Sequence, residues 1–260
     1  MFPTIRLDKN FLKNIIVAVL VVWATTTGPA ALAARKADVW VYITNDHVDD
    51  LRTILAQGLD PNIKNPKGDM PAIMLAVKEG SWKCFDLLFN QPKINLNVHN
   101  GFNETPIMYV AFVGDLDRTK KMLAKGADVN NLGWTALHYA AMKGYPDIVT
   151  LLLSKGALPN APAPDGSSPL MMGVKGNNFK VVQALINAGA EPTARNLAGE
   201  DAIDFADKLD HPDWAKQMTK IAADRKARAI AKAKNEPKEE GVEVGSESPT
   251  KASTEEGSKN

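Results

Sequence analysis

The 260-residue sequence contains one cysteine, Cys84, so an intramolecular disulfide and a thiolate metal cluster are both excluded. Neither sign of charge dominates: 31 Lys and Arg stand against 30 Asp and Glu, a formal net charge of +1. That balance argues against a general binder of nucleic acid or of acidic membranes. Gly-x-Gly-x-x-Gly, P-loop and Gly-x-Ser-x-Gly patterns are all missing, which removes the commonest sequence signatures of nucleotide binding and acyl transfer. Apolar residues make up 45% of the chain, so packing rather than cross-linking must supply the stability of one large domain or two small ones.

One long apolar run is present, at the start. Arg6, Lys9 and Lys13 precede an unbroken apolar stretch from Ile15 to Ala24, and Ala31-Leu32-Ala33 then offers small residues where a signal peptidase reads. Ten strongly apolar residues span only about 15 Å of helix, half of a ~30 Å hydrocarbon core. This order predicts a cleavable secretory signal over residues 1–33, cut after Ala33. A retained membrane anchor is the alternative, since no charge interrupts 14–34.

Sliding the chain along itself reveals a repeat. Pro71-Ala72-Ile73, Thr105-Pro106-Ile107, Thr135-Ala136-Leu137, Ser168-Pro169-Leu170 and Asp201-Ala202-Ile203 recur at spacings of 34, 30, 33 and 33. Thr105, Thr135 and Ser168 are placed to cap a first helix through their hydroxyls, with Pro106 and Pro169 at its first position. Gly80, Gly114, Gly144 and Asn177 follow where that helix must end in a left-handed residue. A second apolar-striped helix then ends at Gly58, Gly126, Gly156 or Gly189. From Gly126 to Thr135 the connection is three residues shorter than its neighbours, which predicts a stunted turn there. Arg118 and Thr119 fall at normally apolar positions, so unit three either packs its second helix poorly or gives Arg118 a buried partner.

Gly133-Trp134-Thr135-Ala136-Leu137-His138-Tyr139-Ala140-Ala141-Met142-Lys143-Gly144, followed by Gly156-Ala157, resembles the ankyrin-repeat family, and its secreted or periplasmic bacterial members in particular. The resemblance covers residues 38–222 in six units, the first and last as caps. It implies an all-α ankyrin-repeat solenoid of antiparallel helix pairs with β-turn fingers. To this the sequence adds an N-terminal signal helix, a basic helical extension from about residue 223, and a disordered tail to residue 260 that is too polar to bury a core.

Candidate chemistry is sparse. Cys84 falls at a second-helix core position and reads as a small buried hydrophobe. His138 belongs to the Thr-Ala-Leu-His step, whose histidine in the family commonly bonds turn backbone. His47, His99 and His211 lie in separate units without ligand spacing. Asp46, Asp49 and Asp50 read as the solvated start of a second helix. The sequence thus predicts no catalytic residue, no cofactor and no metal: the chain is not an enzyme.

Binding is expected instead. The family's concave face, built from finger tips and first helices, would carry Met70, Lys78, Glu79, Glu104, Phe112, Val113, Trp134, Met142, Lys143, Ser167, Lys175 and Gly176 by phase. Phe102, Phe112, Val113, Trp134 and Met142 are apolar where solvated residues belong, and with Lys143 they form the predicted partner-binding patch. The expected protein is a monomeric, non-catalytic adaptor, periplasmic or secreted, that binds a protein and neither nucleic acid nor, after signal cleavage, a membrane. A secreted effector engaging a host protein is the alternative, as is an immunity or accessory protein for a periplasmic toxin or stress-defence enzyme.

Overall fold

The computed structural model describes residues 38–235. The segment 1–33 expected to be a signal and the expected tail from 236 to 260 lie outside the described residues. The chain divides into two compact units, residues 1–222 and 223–260.

The first unit is a stack of helix pairs with no strand among the described residues; only an isolated bridge joins Lys64 and Pro71. Helix α1 (38–44) pairs with α2 (Val48–Ala56), α3 (Ala72–Glu79) with α4 (Trp82–Phe89), and α5 (Pro106–Val113) with α6 (Leu116–Ala124). Next come α7 (Ala136–Met142) with α8 (Pro146–Ser154), and α9 (Pro169–Lys175) with α10 (Phe179–Asn187). Finally α11 (Ala202–Lys208) precedes α12 (Pro212–Asn235), whose residues up to 222 belong to the first unit, with Ala215 and Met218 buried, and whose residues beyond 222 are exposed at nearly every described position.

The turns form where the sequence places them. Gly80, Gly114, Gly144 and Asn177 all have positive φ after the first helices, and Gly58, Gly126, Gly156 and Gly189 have φ between 87° and 93° after the second. Small residues let the two helices of a pair approach: a Cβ on Gly173 would stand 3.0 Å from Val181 Cγ1. One continuous core runs through the pairs, and Ile43, Leu51, Met74, Phe85, Leu137 and Ile148 are among its fully buried members.

Capping follows the expected sites with one correction. The Ser168 hydroxyl accepts from the Met171 N–H at 3.3 Å and the Thr135 hydroxyl from His138 N–H at 3.4 Å. The Thr105 hydroxyl, by contrast, is buried and meets no hydrogen-bond partner. Thr105→Val keeps the shape and removes an unsatisfied buried oxygen, so it is expected to raise stability by about 1 kcal/mol in urea unfolding. Asp46 is also corrected: with φ 54° it lies in the turn before α2, and its Oδ1 accepts the Cys84 N–H of the next pair at 2.9 Å. Asp49 and Asp50 do occupy the first turn of α2.

Arg118 has its partners. Its guanidinium donates to Asp115 Oδ2 at 2.7 Å and to Asp86 Oδ2 at 3.1 Å, and lies 4.3 Å from the Trp82 ring centroid. Burial alone would raise the Asp115 carboxyl, but the Arg118 backbone N–H and guanidinium outweigh it and hold the carboxyl below its usual range. Thr119, fully buried, donates its hydroxyl to the Asp115 carbonyl at 2.7 Å. The second helix of the third pair therefore joins that of its neighbour through an ion pair stacked on an aromatic ring, beside the apolar core that the first helices share.

Candidate functional site

Fingers separate the pairs. In four of them a backbone bond closes the turn: Asn65 N–H to Met70, Asn100 to Glu104, Ala163 to Ser167 and Asn196 to Glu200, at 2.8 to 3.0 Å. The finger between Gly126 and Thr135 makes no such bond among the described residues, and here the missing three residues tell. It is held from outside instead: Asn131 Nδ2 donates to the Asn103 carbonyl at 2.8 Å, and Asn103 Nδ2 to the Leu132 carbonyl at 3.1 Å. These reciprocal side-chain bonds tie the finger bearing Phe102 to the one bearing Leu132.

Every first helix after the second pair opens with the same accounting of its N-cap N–H. Thr105 donates to Met108 Sδ at 3.3 Å, Thr135 to His138 Nδ1 at 3.2 Å, Ser168 to Met171 Sδ at 3.4 Å and Asp201 to Asp204 Oδ2 at 3.0 Å. Pro71 has no N–H, so Met74 has no such task. His138 adds a second bond: its other nitrogen lies 3.1 Å from the Ser167 carbonyl, which fixes Nε2 as the donor and Nδ1 as the acceptor. Burial pushes this imidazole down to about 4, against the raising influence of the Ser167 carbonyl. It is a neutral strut between units.

The predicted partner-binding residues group around Tyr139. Phe112 meets its ring edge-on at 5.9 Å, Trp134 lies 6.0 Å away, and the Lys143 ammonium sits 4.8 Å from the Phe112 centroid. Phe112 and Val113, at the end of α5, are each 40% exposed. Trp134 and Met142 are half-buried against the core, so both serve packing as well as surface. Phe102 stands apart on its finger, 82% exposed. Two residues assigned to this face by phase do not belong there: Ser167 is buried, and Gly176 lies against the carbonyls of Ala141 and Met142. Sequence reasoning missed Leu132, 88% exposed on the short finger, because a lone leucine in an irregular turn has no phase to read.

It also missed a polar cluster below the rings. The Tyr139 hydroxyl donates to Glu104 Oε1, while Tyr109 Oη and Asn100 Nδ2 donate to Glu104 Oε2 at 3.0 and 2.7 Å. Burial, then the Glu104 charge, pushes Tyr109 up to about 12, and the same causes raise Tyr139. Glu104 is one residue before a cap and Tyr139 four after the next, a relation visible only once the pairs are stacked. Glu104, Tyr109 and Tyr139, with Met108 and Phe112, line a cleft of about 190 Å³.

Cys84 is fully buried, and burial with Asp46 beside it pushes its thiol up to about 12, far from a nucleophilic thiolate. Among the described residues no three His, Cys, Asp or Glu side chains stand together to hold a metal, and no helix is long and apolar enough to cross a membrane.

Helix pairs, left-handed glycine turns and linked fingers define a helical repeat protein. Residues 73–163 and 133–196 match the family model for ankyrin repeats. Repeats of this family generally serve protein–protein interaction and are generally non-enzymatic. The chain is similar to human BCL-6 corepressor-like protein 1, 36% identical over 43% of this chain and 6% of that protein. It is similar as well to rat ankyrin repeat and SAM domain-containing protein 6, 35% identical over 40% of this chain and 13% of the relative. The nematode ANK repeat-containing protein nipk-1 is 28% identical over 56% of this chain and 28% of its own length. The chain thus spans a small fraction of each of these relatives.

Proposed function

We propose that this protein is a non-catalytic adaptor of the secreted bacterial kind, acting in the periplasm or outside the cell as a monomer and binding one protein partner. The binding face is that of the finger tips and first helices of the third and fourth pairs, with Phe102, Phe112, Val113, Trp134, Met142 and Lys143. One observation carries this reading: exposed Phe112 and half-buried Trp134, from adjacent units, both pack on Tyr139 and keep apolar surface open where a polar surface would cost nothing. Aromatic residues clustered at one place are the usual source of binding energy in an interface. The basic, apolar and small-residue order of residues 1–33 supports the compartment.

Affinity capture from the periplasm with the full chain, followed by mass spectrometry, should return one saturable partner. Trp134→Ala is expected to weaken that partner by about 2 kcal/mol or more, with the far-ultraviolet circular dichroism unchanged. Loss of thermal stability with binding spared would assign Trp134 to packing alone. Recovery of the protein from culture supernatant rather than periplasm would favour a secreted effector, and amino-terminal sequencing tests cleavage after Ala33.

A further inference from the structure

Glu104 presents a charge without a counter-ion. Its carboxylate is half-buried between the phenols of Tyr109 and Tyr139, yet among the described residues no Lys or Arg lies within ion-pair distance of it. Three donors reach it, one on Oε1 and two on Oε2. A carboxylate has about four lone-pair sites, so Oε1 retains an acceptor position. Neutral donors moderate the charge but do not cancel it, and partial burial makes an uncompensated carboxylate costly.

The cleft above it is aromatic. Phe112 and Tyr139 stand nearly perpendicular, at 84°, and Met108 is buried beside them. Ring faces and a carboxylate together attract a cation. Lys143 already shows this pull, its ammonium resting over Phe112 without reaching Glu104. The neighbouring units supply a precedent for the occupant: Arg118 spreads over the Trp82 ring while donating to two carboxylates. A planar guanidinium stacks on a ring and bonds a carboxylate edge at once, which an ammonium does less well. At about 190 Å³ the cleft has room for one such side chain.

We propose that this cleft takes an arginine side chain of the protein partner, its guanidinium stacked on Phe112 or Tyr139 and donating to Glu104. This rests on the protein-binding reading of the face and adds the chemistry of the residue it recognises.

The probe is N-acetyl-arginine methylamide titrated into the isotope-labelled full chain, with the citrulline and lysine counterparts in parallel arms and amide shifts as readout. The expected result is saturable shifts confined to Glu104, Tyr109, Phe112 and Tyr139 with arginine, weaker ones with lysine and none with neutral citrulline. Glu104→Gln removes the charge while its amide still bonds both phenols, accepting from one and donating to the other, and should weaken the arginine probe about tenfold with the helical circular dichroism retained. Should that variant unfold, Phe112→Ser at a partly exposed position gives the same reading through loss of the stacking ring. Citrulline binding as well as arginine, lysine binding more tightly, or no saturable shift would each overturn the proposal. If partner capture survives in Glu104→Gln while arginine fails to bind, the arginine site falls and the protein-binding face stands. If Trp134→Ala and Phe112→Ser both spare capture, the face itself is misplaced.

Discussion

His138→Ala is expected to lower the unfolding free energy at pH 7.5 by about 3 kcal/mol, because it leaves a cavity and the buried Thr135 N–H unsatisfied. The imidazole is fully buried, accepts from the Thr135 N–H through Nδ1 and donates through Nε2 to the Ser167 carbonyl one unit on. The Ser167 carbonyl keeps the Ala163 N–H at 2.9 Å, but alanine strands the Thr135 N–H. Methionine should not: Met108 and Met171 already accept the same N-cap N–H in their own units. His138→Met therefore loses only the bond to Ser167 and is expected to cost about 1–2 kcal/mol. The pH dependence separates the two contributions. Burial depresses the His138 pKa to about 4 in the folded protein from 6.5. Between those values the unfolded chain holds a proton that the folded chain lacks, so stability present above pH 6.5 is lost as pH falls toward 4. At 1.36 kcal/mol per unit this amounts to about 3 kcal/mol. Urea unfolding at pH 7.5 and 4.5 should show that part of the loss in the wild type and not in either variant.

Gly176→Ala is expected to cost about 3 kcal/mol, through overpacking that the backbone cannot relieve. Gly176 caps α9 with φ −70°, a conformation any residue adopts, so a conformational argument alone predicts a slight gain. Sterics reverse it. A Cβ there would stand 2.6 Å from the Ala141 carbonyl oxygen and 2.7 Å from that of Met142. Those oxygens end the first helix of the preceding unit, and moving them pries the fourth and fifth pairs apart. Gly156→Ala is the control: its φ is 87° with nothing within 4 Å of the added carbon, so only local strain of about 1–2 kcal/mol follows. In a stack held by nearest-neighbour interfaces, amide exchange should accelerate on both sides of the α7–α9 boundary for Gly176→Ala alone.

These two residues also show what the sequence could and could not disclose. The paired helices, their left-handed ends and the caps at Thr135 and Ser168 were legible because each depends on a short local pattern repeated in phase. Cys84 and His138 were legible for the same reason. Ser167, Gly176 and Asp46 were misjudged where neighbouring units meet: Ser167 is covered by the reach of His138, Gly176 by carbonyls 34 and 35 residues earlier, and Asp46 caps a helix in the following pair. The partners of Arg118 lie partly in the adjacent pair too. Of the proposed binding face, the grouping of Phe112, Trp134 and Lys143 followed from the repeat length, whereas the carboxylate beneath them did not. A hydrogen bond between Tyr139 and Glu104, 35 residues apart, has no local signature.

The measurement that bears most directly on this account is photo-crosslinking in the native cell. A benzophenone amino acid placed at Phe112, on the first-helix face, is compared with one at Lys120, exposed on the second helix of the same pair. A single discrete adduct from position 112 and none from 120 is the predicted result. Adducts from 120 with none from 112 would mean that partners are met on the opposite side of the stack, and the binding face described above would be wrong.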